Sequence, residues 1–162
     1  KTELKPPIGV NTIEILSAAD MAEAVKEHAP LQDIIIKAAA VADYRPKDMA
    51  DEKIKKKDDA MKIELARTED ILGYLGAHKP KGQFLCGFSM ETEHMIENSK
   101  EKLKKKNLDL IVANNLKQQG AGFGTDTNVV TLISKEDTIQ LPIMSKEEVA
   151  DELLSCILKA RM

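Results

Sequence analysis

Residues 33–43 read Asp33-Ile34-Ile35-Ile36-Lys37-Ala38-Ala39-Ala40-Val41-Ala42-Asp43, and Tyr44-Arg45-Pro46 follow. Three consecutive β-branched residues between polar ones predict a strand from Asp33 to Ala39, covered on both faces as in a parallel sheet. Ala38, Ala39, Ala40 and Ala42 would let a bulky ligand approach the backbone. A helical reading of the alanines conflicts with Pro46 and with the isoleucine run. The stretch is therefore read as a buried strand ending in a ligand loop, because open α/β sheets bind ligands at the carboxyl ends of their strands.

Similar units recur downstream. Gln83 to Ser89 (QFLCGFS) and Leu108 to Ala113 (LDLIVA) are apolar runs of strand length, with a helix predicted between them near His94 to Lys106. Upstream, Val10 to Ile15 is predicted as a short strand. Ser17 and Asp20 form a capping-box pattern that opens a helix from Ala18 to His28. Between the first two buried runs, Val41 to Ala60 is polar, carries Lys53-Ile54-Lys55-Lys56-Lys57 and reads as a long exposed loop of the kind used as a lid or binding loop. Met61 to Ala66 alternates like an edge or hairpin strand, and Thr68 is expected to cap a short helix from Glu69 to about Ala77. The tail predicts a hairpin, Val129 to Ser134 with Thr138 to Leu141. A helix from Ser145 follows, placing Val149, Leu153, Leu154, Ile157 and Leu158 on one face. The alternation predicts an α/β, Rossmann-like fold: a mainly parallel, doubly wound sheet with a C-terminal β-hairpin and helix.

The 162 residues suit one domain, and with 43% hydrophobic and 31% charged residues the composition is that of a globular protein. A net charge of −3 gives no overall attraction to nucleic acid or to an anionic membrane. No signal peptide or membrane span is readable, and a cytoplasmic protein is expected. The two cysteines, Cys86 and Cys156, lie in apolar surroundings without CxxC spacing, and the three histidines are scattered. Neither a disulfide nor a zinc framework is indicated. The opening Lys1-Thr2-Glu3-Leu4-Lys5-Pro6-Pro7, without a methionine, reads as a cut from a longer chain.

In a parallel sheet the predicted strand ends emerge on one edge, which should bring Asp43, Phe88, Glu91, Asn114 and Asn115 together. Acids, amides, an aromatic ring and nearby lysines suit a phosphorylated ligand with a metal ion. Most of Lys100, Lys102, Lys104, Lys105 and Lys106 read as the solvated face and final turn of a helix. Lys102 and Lys106, four apart on one face, are the candidates for ligand contact. Gly120-Ala121-Gly122-Phe123-Gly124 precedes a strand rather than a helix and so is not a dinucleotide fingerprint.

Four ordered motifs point further: Ala39-Ala40-Val41-Ala42-Asp43-Tyr44-Arg45-Pro46; Lys53-Ile54-Lys55-Lys56; Gly87-Phe88-Ser89-Met90-Glu91-Thr92; and Lys106-Asn107-Leu108-Asp109-Leu110-Ile111-Val112-Ala113-Asn114. Together, across nearly the whole chain, they closely resemble the phosphopantothenate–cysteine ligases of coenzyme A biosynthesis. The resemblance implies a homodimeric synthetase using CTP, Mg²⁺, 4′-phosphopantothenate and L-cysteine through an acyl-cytidylate. FMN is implied only where a decarboxylase domain is attached. It also implies nucleotide-binding positions at Ala38, Ala39, Asp43, Lys53, Asp70, Ile71, Phe88, Lys102 and Lys106, with Lys53 catalytic and Asp43 at the metal. Two departures stand beside these positions: Thr68-Glu69 where the family commonly has Asn-Pro, and Ser89-Met90 where it often has two alanines. The family's first strand, with its glycine-rich turn, would precede Lys1, so residues 1–162 are expected to be one synthetase domain lacking its N-terminal segment. Adenosine remains open beside cytidine, and a nucleotide-binding module without ligation chemistry is the alternative.

Overall fold

The computed structural model describes residues 5–48, 50, 52–55, 60–91, 93–115 and 125–162. Chain contacts divide it into two compact units, residues 1–28 with 41–70 and residues 29–40 with 71–162.

The first unit holds helix α1, Ala18–His28, and a small antiparallel ladder of β2, Tyr44–Pro46, with β3, Leu65–Arg67. The local signal for α1 holds as read. Ser17 Oγ accepts from the Asp20 amide at 3.2 Å, and Asp20 Oδ2 accepts from the amides of Ser17 and Leu16 at 2.9 Å each. The amide of Leu16 contributes most, with the hydroxyl and amide of Ser17, to holding the Asp20 carboxyl below the usual carboxylate range. Lys26 and Glu69 form an ion pair at 2.6 Å.

Three expectations in this unit are corrected. Val10 to Ile15 is not a strand: it is irregular and exposed, and among the described residues no ladder pairs its backbone. Residues 41–60 are not wholly loop, because Tyr44–Pro46 pairs with Leu65–Arg67. Thr68 does not cap the next helix. Its Oγ1 donates to the Ala42 carbonyl and its amide to the Asp43 carbonyl at 2.9 Å, so the hydroxyl closes the β2–β3 ladder instead.

The second unit is a five-stranded sheet in the order β1-β4-β5-β7-β8. Strands β1, Ile34–Lys37, β4, Phe84–Glu91, and β5, Leu110–Asn115, run parallel. The hairpin β7, Val130–Ser134, and β8, Thr138–Gln140, continues the sheet antiparallel from β5. A second small ladder pairs β6, Thr127–Asn128, with β9, Met144–Ser145.

Side chains alternate across this sheet, as a period of two requires. On one face, Cys86, Leu110, Val112, Val130 and Leu132 pack with Val149, Leu153 and Ile157 of α4, Lys146–Arg161. On the other face lie α2, Ile71–Ala77, and α3, Met95–Lys105. There Leu72 and Leu108 crowd Gly87, and Ser99 of α3 meets Ser89 of β4. Ser145 caps α4 with a complete capping box through Glu148. The apolar face expected for α4 is narrower than read. Leu154 and Leu158 are 47% and 60% exposed, because each is one residue, about 100° of helix, away from the buried Leu153 and Ile157.

At the edge where β4 and β5 begin, Asp109 anchors the register. Its carboxylate takes both 2.8 Å bonds from Lys79 Nζ and a 2.7 Å bond from the Leu85 amide. No helix among the described residues is long and apolar enough to cross a membrane.

Candidate functional site

The parallel strands β1, β4 and β5 place their carboxyl ends on one edge of the second unit, and the register fixes what gathers there. Lys37 pairs with Gly87, so Ala38 and Ala39 leave β1 beside Phe88. Phe88 pairs with Val112, Met90 with Asn114 and Glu91 with Asn115. Alternation then sorts these residues by face. Phe88 packs on the α4 side, and Asn114, two residues beyond Val112, shares that side. Ser89 and Glu91 face α3.

On the α3 side the edge carries a polar relay. Glu91 Oε1 accepts from Lys102 Nζ at 3.3 Å, and its Oε2 accepts from Asn98 Nδ2 at 3.4 Å. Ser89 and Ser99 share a buried 2.8 Å hydrogen bond. Lys102 and Glu91 retain 34% and 22% of their side-chain exposure, and an ion pair so open to water is worth about 0–1 kcal/mol. The Lys102 ammonium is thus held at the edge yet costs little to transfer to an anionic ligand.

On the α4 side the Oδ1 of Asn114 is buried and has no hydrogen-bond partner among the described residues.

Of the residues singled out in the sequence, Ala38, Ala39, Phe88, Glu91, Lys102 and Asn114 share this edge. Lys106 ends α3 as its C-cap, where the chain turns back toward the start of β5, so its backbone lies at the opposite edge. Ile71 opens α2 with its side chain in the core, 3% exposed, which leaves only its backbone for a ligand. Asp43, Lys53 and Asp70 belong to the first unit and are exposed. The glycine-rich stretch 120–124 and Lys56 and Lys57 lie outside the described residues. The three histidines are exposed, and among the described residues no group of three or more His, Cys, Asp or Glu could hold a metal ion. The Ser89–Ser99 pair was not readable: Ser99 sits among charged residues, and only the packing of α3 shows that it faces inward.

The model of the DNA/pantothenate metabolism flavoprotein C-terminal domain family matches residues 1–160. The chain belongs to this family. A Bacillus subtilis relative, the coenzyme A biosynthesis bifunctional protein CoaBC, is 52% identical over 143 residues, which are 88% of this chain and 35% of the relative. A relative from an unknown prokaryotic organism, named cysteine/cysteine sulfinic acid decarboxylase, is 47% identical over 150 residues, 92% of this chain and 42% of its own length. The crystal structure of the C-terminal domain of a CoaBC protein superimposes with a TM-score of 0.80 at 46% identity, covering 99% of this chain and 72% of that domain. The α/β fold is therefore that of the CoaBC C-terminal domain. The chain spans between a third and a half of the curated relatives it matches.

Proposed function

We propose that this family member provides the nucleotide-handling part of a CTP-dependent phosphopantothenate–cysteine ligase that works as a homodimer. The observation that carries the reading is the family match over residues 1–160, with a relative at 52% identity named for coenzyme A biosynthesis. The chemistry runs in two steps. The carboxylate of 4′-phosphopantothenate attacks the α-phosphate of CTP, forming an acyl-cytidylate and releasing pyrophosphate. The amine of cysteine then attacks the acyl carbon, and CMP leaves as the amide forms. A carboxylate is a poor electrophile, and the mixed anhydride supplies the leaving group it lacks.

In this reading Phe88, with Ala38 and Ala39 beside it, offers a flat apolar seat for the base. Lys102 exchanges Glu91 for phosphate. Lys53, on the polar segment of the first unit, offsets the charge that develops at the α-phosphate. Asp70 and the backbone of Ile71 complete the nucleotide contacts. Magnesium is commonly held by one or two carboxylates together with substrate phosphates, so the exposed carboxylate of Asp43 fits such an ion without a larger acidic cluster. When bound, the ion neutralises phosphate charge.

Titration calorimetry with CTP, ATP and NAD, each with and without Mg²⁺, tests the reading on this chain and on a longer form of the length of the solved CoaBC domain. Metal-assisted, selective CTP binding and pyrophosphate release that depends on phosphopantothenate are the expected results. CTP binding without pyrophosphate release in the longer form reduces the function to a nucleotide-binding module. Equal, metal-independent binding of all three nucleotides overturns the reading. The decarboxylase name of the second relative gives a competing product, carbon dioxide from cysteine, which the same reaction mixture reports.

A further inference from the structure

We propose that Asn114 reads the base of the bound nucleotide, its Oδ1 accepting a hydrogen bond from an exocyclic amino group. The inference rests on the nucleotide reading given above and names the residue that sets base choice within it.

A buried carbonyl oxygen in a native fold is almost always hydrogen-bonded, and one left alone calls for a partner from outside. Asn114 Oδ1 is such an atom among the described residues. It lies near the carboxyl end of β5, between Met90 of β4 and Val130 of β7 in the ladder, and its face also carries Val112 and Phe88. These side chains are apolar and offer no donor. Across the sheet, the polar side chains of Ser89, Ser99, Glu91, Asn98 and Lys102 are engaged with one another.

The missing partner must therefore donate an N–H or O–H at the strand edge, next to an aromatic ring on the same face. A planar base against Phe88 with an amino group at its edge meets both conditions. Cytosine and adenine carry such a group. Uracil presents a carbonyl at the corresponding position, which would set two acceptors against each other.

The test is thermal unfolding and calorimetric titration of the chain and of the longer form, with CTP and UTP, for the wild type, Asn114→Leu and Asn114→Asp. Leucine has nearly the same shape and no acceptor, while aspartate keeps an oxygen where Oδ1 stands. Without nucleotide, Asn114→Leu should unfold at a higher temperature than the wild type, because an unpaired acceptor has been replaced by an apolar group. The wild type should prefer CTP to UTP by roughly tenfold to a hundredfold. Asn114→Leu should bring that ratio to about one with UTP affinity unchanged, and Asn114→Asp should keep the preference for CTP. A lower unfolding temperature for Asn114→Leu, an unchanged CTP-to-UTP ratio in that variant, or loss of the preference in Asn114→Asp overturns the assignment alone. Failure of both wild-type forms to bind CTP overturns the nucleotide reading and this assignment with it.

Discussion

Cys86 sits in the middle of β4 with none of its surface exposed. Burial pushes its thiol up to about 12, with Cys156 and Asp109 adding smaller effects in the same direction. The folded state therefore favours the neutral thiol more than the unfolded chain does. The stability this lends is fully present below the ordinary thiol value of 9.0 and is lost as the pH rises through about 12. Urea unfolding at pH 8, 9.5 and 11 should show falling stability, and Cys86→Ala should flatten the fall. At pH 8 a thiol reagent should label the partly buried Cys156 and reach Cys86 only when the protein unfolds. The apolar surroundings of Cys86 were legible, because its neighbours in the strand are local facts. The role of Asp109 was not. Its partner Lys79 lies thirty residues upstream, and nothing in the spacing of either residue announces the contact.

At the scale of elements, the clearest signals were those a few residues long. The capping pattern at Ser17–Asp20 closes as read, and the structure adds a capping box at Ser145–Glu148, each bond spanning three residues whatever surrounds it. Thr68 failed by the same logic: a hydroxyl suited to capping found a nearer partner in the carbonyl of Ala42, and the pairing of β2 with β3 decided that. The contact between the ends of α2 and α3 is likewise tertiary. A methyl group on Gly76 would stand 1.8 Å from the Lys106 carbonyl oxygen, and the Gly76 carbonyl accepts from Asn107 Nδ2 at 2.9 Å. The obstacle is backbone and cannot swing aside. Gly76→Ala should therefore cost about 3 kcal/mol, at the upper end for an overpacked site. Gly87→Ala should cost less, because its nearest neighbours are the methyl ends of Leu72 and Leu108. Equilibrium denaturation of the two variants side by side checks the order, and a milder effect at Gly76 would refute the close approach.

For the whole molecule, Asp43, Lys53 and Asp70 belong to the first compact unit and the strand edge to the second. Lys53 is exposed, so its loss should leave stability nearly unchanged. A charge-assisted bond to phosphate is worth about 1.5–3 kcal/mol, and Lys53→Ala should slow pyrophosphate release roughly tenfold to a hundredfold. Intact turnover in that variant removes Lys53 from the mechanism. The sequence by itself determined the α/β class, the three parallel strands, the C-terminal hairpin and the family, but not the burial it assigned to the first strand: β1 lies at the edge of the sheet, none of its residues is buried and Ile36 is 38% exposed. Apolar runs and short-range caps act over a few residues, and four motifs in fixed order are specific. Only the tertiary structure decided which face of the sheet each edge residue occupies: Phe88 and Asn114 toward α4, Ser89 and Glu91 toward α3. It alone tied Lys102 to Glu91, left Asn114 Oδ1 without a partner among the described residues and set Lys106 at the far end of its helix. The reason is register. A strand's alternation says that neighbours point apart, but only pairing with the next strand and packing of the helices fixes which side is which.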